Sequence, residues 1–340
     1  MSGRFNVAVV GATGAVGECL LSVLVERNFP FAEVRAVASS RSAGSTVPFN
    51  GTELEVEDLQ DFDFHGIDIG LFSPGASVSE IYAPKAADSG CVVIDNTSRF
   101  RYEPDVPLVV PEVNPDAVAD YRNRGIIANP NCSTIQMVVA LKPIYDAAGI
   151  ERVNVCTYQA VSGTGKEAIV ELERQSAALL NGKPVETSVY PRQIAFNVIP
   201  QIDDFLDNGY TREEMKMLWE TRKILGDKSI LVNATAVRVP VFYGHSEAVH
   251  VETREKISVE DVRRLLQAMP GLVVLDERRP GGYPTPVTEA AGRDPVFVGR
   301  IREDMSHPRG INLWVVSDNV RKGAALNSVQ IAEILVKDYL

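Results

Sequence analysis

The sequence predicts an α/β protein of two domains, and three observations lead to this fold class. Residues 5–10 form a short apolar run, as in a buried parallel strand, and three glycines separate it from an apolar pattern with helical spacing. More short apolar runs, each followed by a polar loop, continue to about residue 130. After about residue 150 the chain becomes β-rich, with an amphipathic helix at residues 258–269. We therefore expect a Rossmann-type parallel-sheet domain followed by an α+β domain.

The composition excludes several classes of protein. With 340 residues, of which 45% are hydrophobic, the chain has room for about two well-packed domains. It has no run of about 18 apolar residues, and its first residues lack the layout of a secretion signal. The cysteines Cys19, Cys91, Cys132 and Cys156 show no Cys-x-x-Cys spacing. We therefore expect a cytoplasmic protein with reduced thiols and no metal site.

Acidic residues outnumber basic ones in this chain. The 45 Asp and Glu residues face 34 Lys and Arg residues, which gives a net charge of −11. This balance disfavours binding to nucleic acid or to an anionic membrane, and we expect neither partner. A small anionic ligand would need a local cluster of basic side chains, and the loops described below contain candidates.

The glycines after the first predicted strand follow the pattern Gly-x-x-Gly-x-x-Gly. A strand, a glycine turn and a helix together present backbone N–H groups to a pyrophosphate. A chance turn can contain the same glycines, so the flanking strand and helix are what favour a dinucleotide-binding domain. The predicted cofactor contacts in this turn are Gly11, Thr13, Gly14, Ala15, Val16 and Gly17.

The loop after the next predicted strand, residues 33–39, indicates which dinucleotide binds. A site for NAD often ends this strand in an acidic residue that binds the ribose hydroxyls. Here the chain reads "ASSRSAG", which offers Ser39, Arg41 and Ser42 and no acid. An arginine among hydroxyls suits a 2′-phosphate, so we expect NADP rather than NAD. The alternative is a solvated loop that happens to contain an arginine.

Cys132 lies in the stretch "ANPNCSTIQMVVAL", between a polar turn and an apolar run with helical spacing. Most cysteines in soluble proteins are buried structural residues, which is one interpretation of this one. The other interpretation is a nucleophile. The positive end of a helix dipole lowers the pKa of a thiol at a helix N-terminus, and the thiolate is the attacking species. These residues by themselves leave both interpretations open.

Three more predicted strands lead polar loops to one edge of the first sheet. They lie in "DIGLFSPGAS", "CVVIDNTSRFR" and "GIIANPNC", and the third leads into Cys132. Ligands of open parallel sheets gather beyond the carboxyl ends of the strands, so these loops belong to the predicted ligand side. In the second domain, residues 233–255 predict two antiparallel strands around Tyr243 and Gly244. The last residues, "KGAALNSVQIAEILVKDY", predict a helix that returns to the first domain.

Many ordered motifs resemble those of aspartate-semialdehyde dehydrogenases, and together they cover nearly the whole chain. In order they read "VAVVGATGAVG", "SSRSAG", "DNTSRFR", "VVPEVN", "NPNCST", "YQAVSGTGKEA", "FNVIPQIDDF", "EEMKMLWETRKIL", "VRVPVFYGHSEAVHVE", "FVGRIRED" and "WVVSDNVRKGAALNSVQIAE". The resemblance implies an NADP-dependent oxidoreductase that interconverts aspartyl 4-phosphate and aspartate 4-semialdehyde, in the biosynthesis of lysine, threonine, methionine and isoleucine. It also implies a homodimer.

The resemblance sets the expected domain plan and the expected catalytic residues. An NADP-binding domain would span residues 1–130 and be completed by residues 320–340, with a catalytic and dimerisation domain at residues 131–319. By resemblance, Cys132 is the nucleophile and forms a thioester, His245 is the acid–base residue, and Gln159 orients the acyl group. His250 is the rival histidine, and the motif spacing selects His245 over it.

The remaining implied roles concern the substrate, the phosphate and the nicotinamide end of the cofactor. Arg238 would bind the α-carboxylate through two parallel hydrogen bonds, and Glu213 would bind the substrate ammonium. Lys216 and Arg101 would bind phosphate, with Arg99 as a competitor for the position of Arg101. Without the resemblance, the commoner interpretation of Glu213 and Lys216 is a surface ion pair on a helix. Further implied cofactor contacts are Ser162, Gly163 and Asn319.

Two other functions remain to be weighed against this one. A reductase acting on N-acetylglutamyl phosphate would share the chemistry and the domain plan. A non-catalytic relative would share the fold alone, and loss of the cysteine would mark it. Cys132, Gln159, Arg238 and His245 are all present, which disfavours the non-catalytic alternative.

Overall fold

The computed structural model describes residues 4–340, and it divides into two compact units. The first unit comprises the residues up to Asn131 together with Ala324–Leu340, and the second unit comprises Cys132–Gly323. The sequence predicts these boundaries after residues 130 and 319. Residues 1–3 of its first domain lie outside the described residues. The α/β fold class is confirmed.

The first unit is built on a seven-stranded sheet in the order β3-β4-β2-β1-β5-β6-β7. All neighbouring strands are parallel except β3, which pairs antiparallel with β4. The strands are β1 (Phe5–Val10), β2 (Phe31–Ala38), β3 (Thr46–Phe49), β4 (Thr52–Asp58), β5 (Ile69–Phe72), β6 (Val92–Asp95) and β7 (Ile126–Ala128). The central strands β1, β5 and β6 are almost wholly buried, as parallel strands covered on both faces are.

The helices of the first unit are α1 (Ala15–Glu26), α2 (Ala76–Asp88) and α7 (Leu326–Asp338). The helix α7 comes from the end of the chain and packs against α1. Its buried apolar residues Leu326, Val329 and Leu335 join the same core as strand β1. At the surface, the guanidinium of Arg27 pairs with the carboxylate of Glu333 at 2.6 Å. The return of α7 therefore closes the hydrophobic core of this unit.

The second unit is built on a six-stranded mixed sheet in the order β11-β12-β13-β10-β8-β9. Its strands are β8 (Ile150–Gln159), β9 (Leu231–Arg238), β10 (His245–Thr253), β11 (Leu272–Val274), β12 (Val296–Glu303) and β13 (Gly310–Ser317). Strands β9 and β10 run in opposite directions, as the sequence predicts, but they do not form a hairpin. Strand β8 lies between them and pairs with both, because the parallel register of β8 with β9 excludes β10 from that edge.

The helices of the second unit are α3 (Cys132–Ala148), α4 (Lys166–Leu180), α5 (Arg212–Leu225) and α6 (Val259–Ala268). The helix α3 packs on β10 and β13 and against α5 and α6. Its residues 133–141 are all buried, so α3 is a central helix of this unit. Within residues 4–340, no helix is long and apolar enough to cross a membrane.

The turn between β1 and α1 leaves no room for a side chain at Gly17. A Cβ atom built on Gly17 would lie 2.1 Å from the carbonyl oxygen of Gly11 and 2.7 Å from the Cα of Ala12. At Gly14 the nearest atom, again the carbonyl oxygen of Gly11, would be 3.4 Å away, which is an ordinary contact. Helix α1 therefore packs against the end of β1 through Gly17 and not through Gly14.

Replacing Gly17 with alanine should destabilise the first unit, because the added methyl group meets backbone atoms that cannot move aside. We expect a loss of about 1–3 kcal/mol in the free energy of unfolding, as for overpacked cores. Gly14→Ala is the matched control and should cost much less. Thermal denaturation followed by circular dichroism measures both variants. Equal melting temperatures for the two variants would contradict the assigned role of Gly17.

Candidate active site

The carboxyl ends of β1 and β2 hold the glycine turn of the first unit. The backbone N–H groups of Gly11 and Ala12 donate to the carbonyl of Val37 at 2.8 and 3.1 Å. Helix α1 then begins at Ala15, and its N-cap residue Gly14 supplies no side-chain cap. The N–H groups of the first helical turn are therefore available to an anion, and this arrangement fits a dinucleotide pyrophosphate.

The loop after β2 lies beside this turn. The hydroxyl of Thr13 in the glycine turn donates to the hydroxyl of Ser42 at 3.4 Å. Ser39 and Arg41 are exposed in the same loop. The structure thus brings the two predicted parts of the cofactor site together within one unit, with a guanidinium and hydroxyl groups accessible to a ligand phosphate.

The two candidate phosphate-binding arginines of the first unit differ in their surroundings. Arg99 forms ion pairs with Glu80 at 3.0 Å and with Glu103 at 2.8 Å. Arg101 is buried, and its Nη2 donates to the carbonyl of Asn96 at 2.8 Å. Arg101 also acts on the buried carboxyl of Asp95, so the charged surroundings of the two arginines do not select between them.

In the second unit, three predicted site residues lie at the ends of neighbouring strands. Gln159 ends β8, Arg238 ends β9, and the parallel register places these two residues side by side. His245 begins β10, which runs antiparallel to β8. The carboxyl ends of β8 and β9 and the start of β10 therefore meet at one edge. All three side chains are buried there.

Ala160, the residue after Gln159, forms hydrogen bonds to both His245 and Arg238. The backbone N–H of Ala160 donates to Nδ1 of His245 at 3.0 Å, and the carbonyl of Ala160 accepts from Nη1 of Arg238 at 2.7 Å. Ala160 is itself fully buried. Its two backbone groups therefore orient the imidazole and the guanidinium together. Sequence reasoning missed Ala160, because its contribution is made by the backbone and not by its side chain.

The imidazole of His245 is held neutral. Burial lowers its pKa from 6.5 to about 3, and the nearby positive charge of Arg238 lowers it further, against a smaller opposing effect of Glu213. Since Nδ1 accepts a hydrogen bond, the proton of the neutral ring lies on Nε2. That atom is buried and has no hydrogen-bond partner within residues 4–340. His245 is therefore set to donate a hydrogen bond from Nε2.

Gly163 lies close to this donor. A Cβ atom at Gly163 would lie 3.1 Å from Nη1 of Arg238 and 3.3 Å from Nε2 of His245. A side chain at this position would therefore press on both groups, and glycine avoids this contact.

A chain of polar contacts leads from the strand edge to helix α5. The amide nitrogen of Gln159 donates to Oε1 of Glu213 at 3.1 Å, and Nζ of Lys216 donates to Oε2 of Glu213 at 2.9 Å. Lys216 also donates to Asp203 at 2.8 Å. The side chains of Glu213 and Lys216 are only 6% and 11% exposed, so they are not an ordinary surface ion pair.

Helix α3 begins at Cys132, where the sequence predicts a helix start. A turn at residues 321–325 approaches the cysteine closely, since a Cβ atom on Gly323 would lie 2.7 Å from the Cβ of Cys132. One helical turn later, the amide nitrogen of Gln136 donates to the carbonyl of His245 at 3.5 Å. This bond ties the start of α3 to the start of β10.

The four cysteines are in different environments, and all are reduced. Cys91 is buried, and burial raises its pKa to about 12, so it stays a thiol near neutral pH. Cys156 is exposed on the strand β8. Cys132 is partly buried at the N-terminus of α3.

Asn319 supports the start of β10. Its Oδ1 accepts from the backbone N–H of Gly244 at 2.9 Å and from the hydroxyl of Ser162 at 3.2 Å. Both Asn319 and Ser162 are buried. The three predicted nicotinamide-end contacts, Ser162, Gly163 and Asn319, therefore lie around His245 within the second unit.

The predicted site residues divide between the two units. The first unit holds the glycine turn, Ser39, Arg41, Ser42 and Arg101. The second unit holds the predicted catalytic, substrate-binding and phosphate-binding residues and the predicted nicotinamide-end contacts, which are Cys132, Gln159, Ser162, Gly163, Glu213, Lys216, Arg238, His245 and Asn319. The structure adds Ala160, Asp203 and Gly323 to this second group. The left-handed backbone of Asp203, at φ +69°, leaves no trace in the local sequence pattern.

Comparison with known proteins gives matches along nearly the whole chain. Residues 6–121 match the family model described as semialdehyde dehydrogenase, NAD binding domain. Residues 141–322 match the model described as semialdehyde dehydrogenase, dimerisation domain. The chain thus contains a domain of a kind that binds a nicotinamide dinucleotide, and the second match supports a homodimer.

Individual relatives agree with these matches. The aspartate-semialdehyde dehydrogenase of Shewanella violacea is 65% identical over 339 residues, with 100% of both chains covered. A solved structure of aspartate semialdehyde dehydrogenase II from Vibrio cholerae, complexed with ASA, superposes with a TM-score of 0.98 at 61% identity and covers 100% of both chains. An aspartate semialdehyde dehydrogenase with NADP from Candida albicans superposes with a TM-score of 0.76 at 28% identity, over 98% of each chain. The chain therefore belongs to the aspartate-semialdehyde dehydrogenase family.

Proposed function

We propose that this protein is an NADP-dependent dehydrogenase that converts aspartate 4-semialdehyde and phosphate to aspartyl 4-phosphate, and the reverse. One observation carries the proposal. A single buried residue, Ala160, orients Arg238 and His245 at the strand edge where Gln159 ends β8, in the unit that begins with Cys132. The reaction oxidises an amino-acid aldehyde and then transfers the acyl group to phosphate. It requires a group that binds the carboxylate, a ring that carries a proton and a thiol, and Arg238, His245 and Cys132 supply these three.

The proposed chemistry runs through the sulfur of Cys132. In the aldehyde-oxidising direction, the thiolate attacks the aldehyde carbon and forms a tetrahedral thiohemiacetal. Loss of hydride from that carbon leaves a thioester on Cys132, and the bound nicotinamide cofactor supplies the hydride acceptor. Phosphate then attacks the thioester carbonyl and expels the thiolate, which gives the acyl phosphate and restores the cysteine.

His245 would act at the oxygen of the tetrahedral adduct. The backbone N–H of Ala160 fixes its Nδ1 as an acceptor, so the ring presents Nε2–H to the reacting oxygen. Because its pKa is lowered to about 3, the ring stays neutral near pH 7. A neutral donor stabilises charge on the oxygen without placing a second positive charge beside Arg238. The amide of Gln159 would orient the acyl group beside the sulfur.

Two charged groups would anchor the amino-acid part of the substrate. Arg238 is buried and its Nε has no hydrogen-bond partner within residues 4–340, so this group can donate to the α-carboxylate. The carboxylate of Glu213 would bind the substrate ammonium. An N-acetylated substrate would present a neutral amide there, and the desolvation of Glu213 would go uncompensated. This contrast favours aspartate semialdehyde over the N-acetylglutamyl alternative.

The phosphate would be bound by Lys216 and Arg101. Both are cations in a protein of net charge −11, and both are largely buried, where an ion pair with phosphate is only weakly screened. Lys216 belongs to the second unit and Arg101 to the first, so the assignment of both to one phosphate is a prediction. Arg99, which pairs with Glu80 and Glu103, is the alternative to Arg101.

The dinucleotide would be NADP. The open first turn of α1 would bind the pyrophosphate, and Ser39, Arg41 and Ser42 would bind the 2′-phosphate. The Candida albicans relative, whose structure is with NADP, supports this choice. We also propose a cytoplasmic location, because the relatives are biosynthetic enzymes and the chemistry needs a reduced thiol.

The proposed reaction can be tested directly on the unmodified protein and on Cys132→Ala. Reduction of NADP in the presence of aspartate semialdehyde should require added phosphate. The alanine variant should lose turnover by roughly 10⁴-fold or more, because no other group forms the thioester. NADP binding, measured by calorimetric titration, should survive. Cys156→Ala is the matched control and should keep its activity. Substantial residual turnover in Cys132→Ala would remove the nucleophile assignment.

Arg41→Ala should distinguish NADP from NAD. Loss of a charged hydrogen bond to the 2′-phosphate costs about 1.5 kcal/mol or more, so the Michaelis constant for NADP should rise roughly tenfold or more. The constant for NAD should change little, because NAD lacks that phosphate. Arg41→Lys, which keeps the charge, should show an intermediate effect. An equal change for both dinucleotides would place the 2′-phosphate elsewhere.

Glu213→Gln should weaken the amino-acid substrate selectively. Removing the carboxylate costs a charge-assisted hydrogen bond to the ammonium, so the Michaelis constant for aspartate semialdehyde should rise roughly 10- to 100-fold. NADP affinity should stay nearly unchanged, and N-acetylglutamate semialdehyde should be used poorly by the unmodified protein. Glu214→Gln is the contrast. Oε2 of Glu214 accepts from the backbone N–H of Thr211 and Oε1 accepts from that of Ala236. Glutamine has only one acceptor oxygen, so that variant should lose stability rather than selectivity. Indifference of the aspartate reaction to Glu213→Gln would count against the assignment.

A further inference from the structure

The ammonium of Lys216 is held by two carboxylates rather than one. Its Nζ donates to Oδ2 of Asp203 at 2.8 Å and to Oε2 of Glu213 at 2.9 Å. Burial lowers the pKa of Lys216, but the attraction of Glu213 and Asp203 outweighs it and raises the pKa above the ordinary value. Lys216 is therefore charged near neutral pH, and one positive charge faces two negative ones.

The two carboxylates differ in how firmly they are held. Glu213 lies on helix α5, its side chain is 6% exposed, and it also accepts from the amide of Gln159. Asp203 lies in the loop before that helix, and its side chain is 30% exposed. Water can therefore solvate the carboxylate of Asp203 at a much smaller cost than that of Glu213.

The backbone of Asp203 also sets it apart. Its φ is +69°, in the left-handed region that L-residues other than asparagine and aspartate rarely adopt. Its Oδ1 accepts from the backbone N–H of Asp204 at 2.9 Å, which leaves Oδ2 directed at Lys216. A loop residue with an uncommon backbone conformation, aimed at a buried cation, is more than a chance surface contact.

Lys216, Asp203 and Glu213 together carry a net negative charge, and a phosphate that binds Lys216 must approach all three. The ammonium has three N–H donors, and two of them are engaged by Asp203 and Glu213. Glu213 is needed for the substrate ammonium in the proposed function, so the carboxylate that can yield is Asp203. Its oxygen atoms and those of phosphate compete for the same cation.

We propose that Asp203 is an internal competitor of phosphate, which occupies Lys216 in the resting protein and is displaced when phosphate binds. The residue thus sets the affinity for phosphate and keeps the buried lysine paired between turnovers. This inference rests on the proposed assignment of Lys216 to phosphate, and it concerns a residue that touches the substrate site only through Lys216.

The test is Asp203→Asn, assayed in the aldehyde-oxidising direction with inorganic phosphate as the varied substrate at constant ionic strength. Asparagine tolerates the left-handed backbone, so the loop conformation is kept. Removal of the competing charge should lower the Michaelis constant for phosphate roughly two- to fivefold, the range expected for a partly exposed ion pair. The constants for aspartate semialdehyde and NADP should change little. Asp203→Gly, which also suits this φ, should act in the same direction.

The adjacent Asp204 provides a control with the same change in net charge. It is exposed, and within residues 4–340 its hydrogen bonds are made by its backbone. Asp204→Asn should therefore leave the Michaelis constant for phosphate unchanged. A purely structural role of Asp203 would weaken phosphate binding or turnover, whereas competition predicts tighter phosphate binding, so the direction of the change decides between them.

A third variant, Lys216→Met, separates this inference from the proposed function. If Lys216→Met does not weaken phosphate, the phosphate assignment of Lys216 is wrong, and the inference about Asp203 is overturned with it. The other outcome is that Lys216→Met weakens phosphate binding while Asp203→Asn fails to lower the Michaelis constant for phosphate, or lowers it no more than Asp204→Asn does. In that case the phosphate site stands and only the competitor role of Asp203 is overturned.

Discussion

The arrangement of the second unit depends on the two backbone hydrogen bonds of Ala160. Its N–H fixes the tautomer of His245 and its carbonyl fixes the guanidinium of Arg238. A backbone group has fewer ways to move than a side chain, so it positions both functional groups without a large loss of conformational entropy. Ala160 can act in this way because β8 pairs with β9 on one side and with β10 on the other. The position of β8 between β9 and β10 is therefore a condition for the site.

The side chains of Arg238 and His245 are buried, and each has a nitrogen atom without a hydrogen-bond partner within residues 4–340. Within residues 4–340, Nε of Arg238 and Nε2 of His245 have no hydrogen-bond partner, which costs folding free energy at each atom. Such atoms are expected where a ligand completes the hydrogen bonding. Nearby on β10, burial raises the pKa of the Glu247 carboxyl well above its ordinary value, against a smaller effect of Gln136. Burial therefore favours the protonated, uncharged form of Glu247, and the charged groups that act on the imidazole of His245 are Arg238 and Glu213.

The two units divide the tasks of the reaction in a way that follows from their sheets. In the parallel sheet, strand ends and a helix start expose backbone N–H groups, which suit a dinucleotide whatever substrate is used. In the mixed sheet, strands of opposite direction place side chains from separate parts of the chain at one edge. In the proposed function, the pyrophosphate of the cofactor is therefore bound by the backbone of a local motif, and the substrate is bound by charged side chains from separate strands and helix α5.

The sequence by itself determined the features that depend on local residues. The strand, glycine turn and helix at residues 5–26 are local, and so are the helix that starts at Cys132 and the acid-free loop at Ser39–Ser42. Residue types at Gln159, Arg238 and His245 could be matched to known motifs, but their spatial relation could not be derived from spacing. The expected hairpin around Gly244 shows why. Adjacent strands in the sequence are separated by β8, because the register that forms depends on side-chain packing across the whole sheet. Only the tertiary structure decided that Ala160 joins His245 to Arg238, that Glu213 and Lys216 are buried, and that Asp203 reaches Lys216. These features depend on residues that are far apart in the chain or on a backbone angle. Long-range contacts and single backbone angles leave no periodic pattern in the sequence.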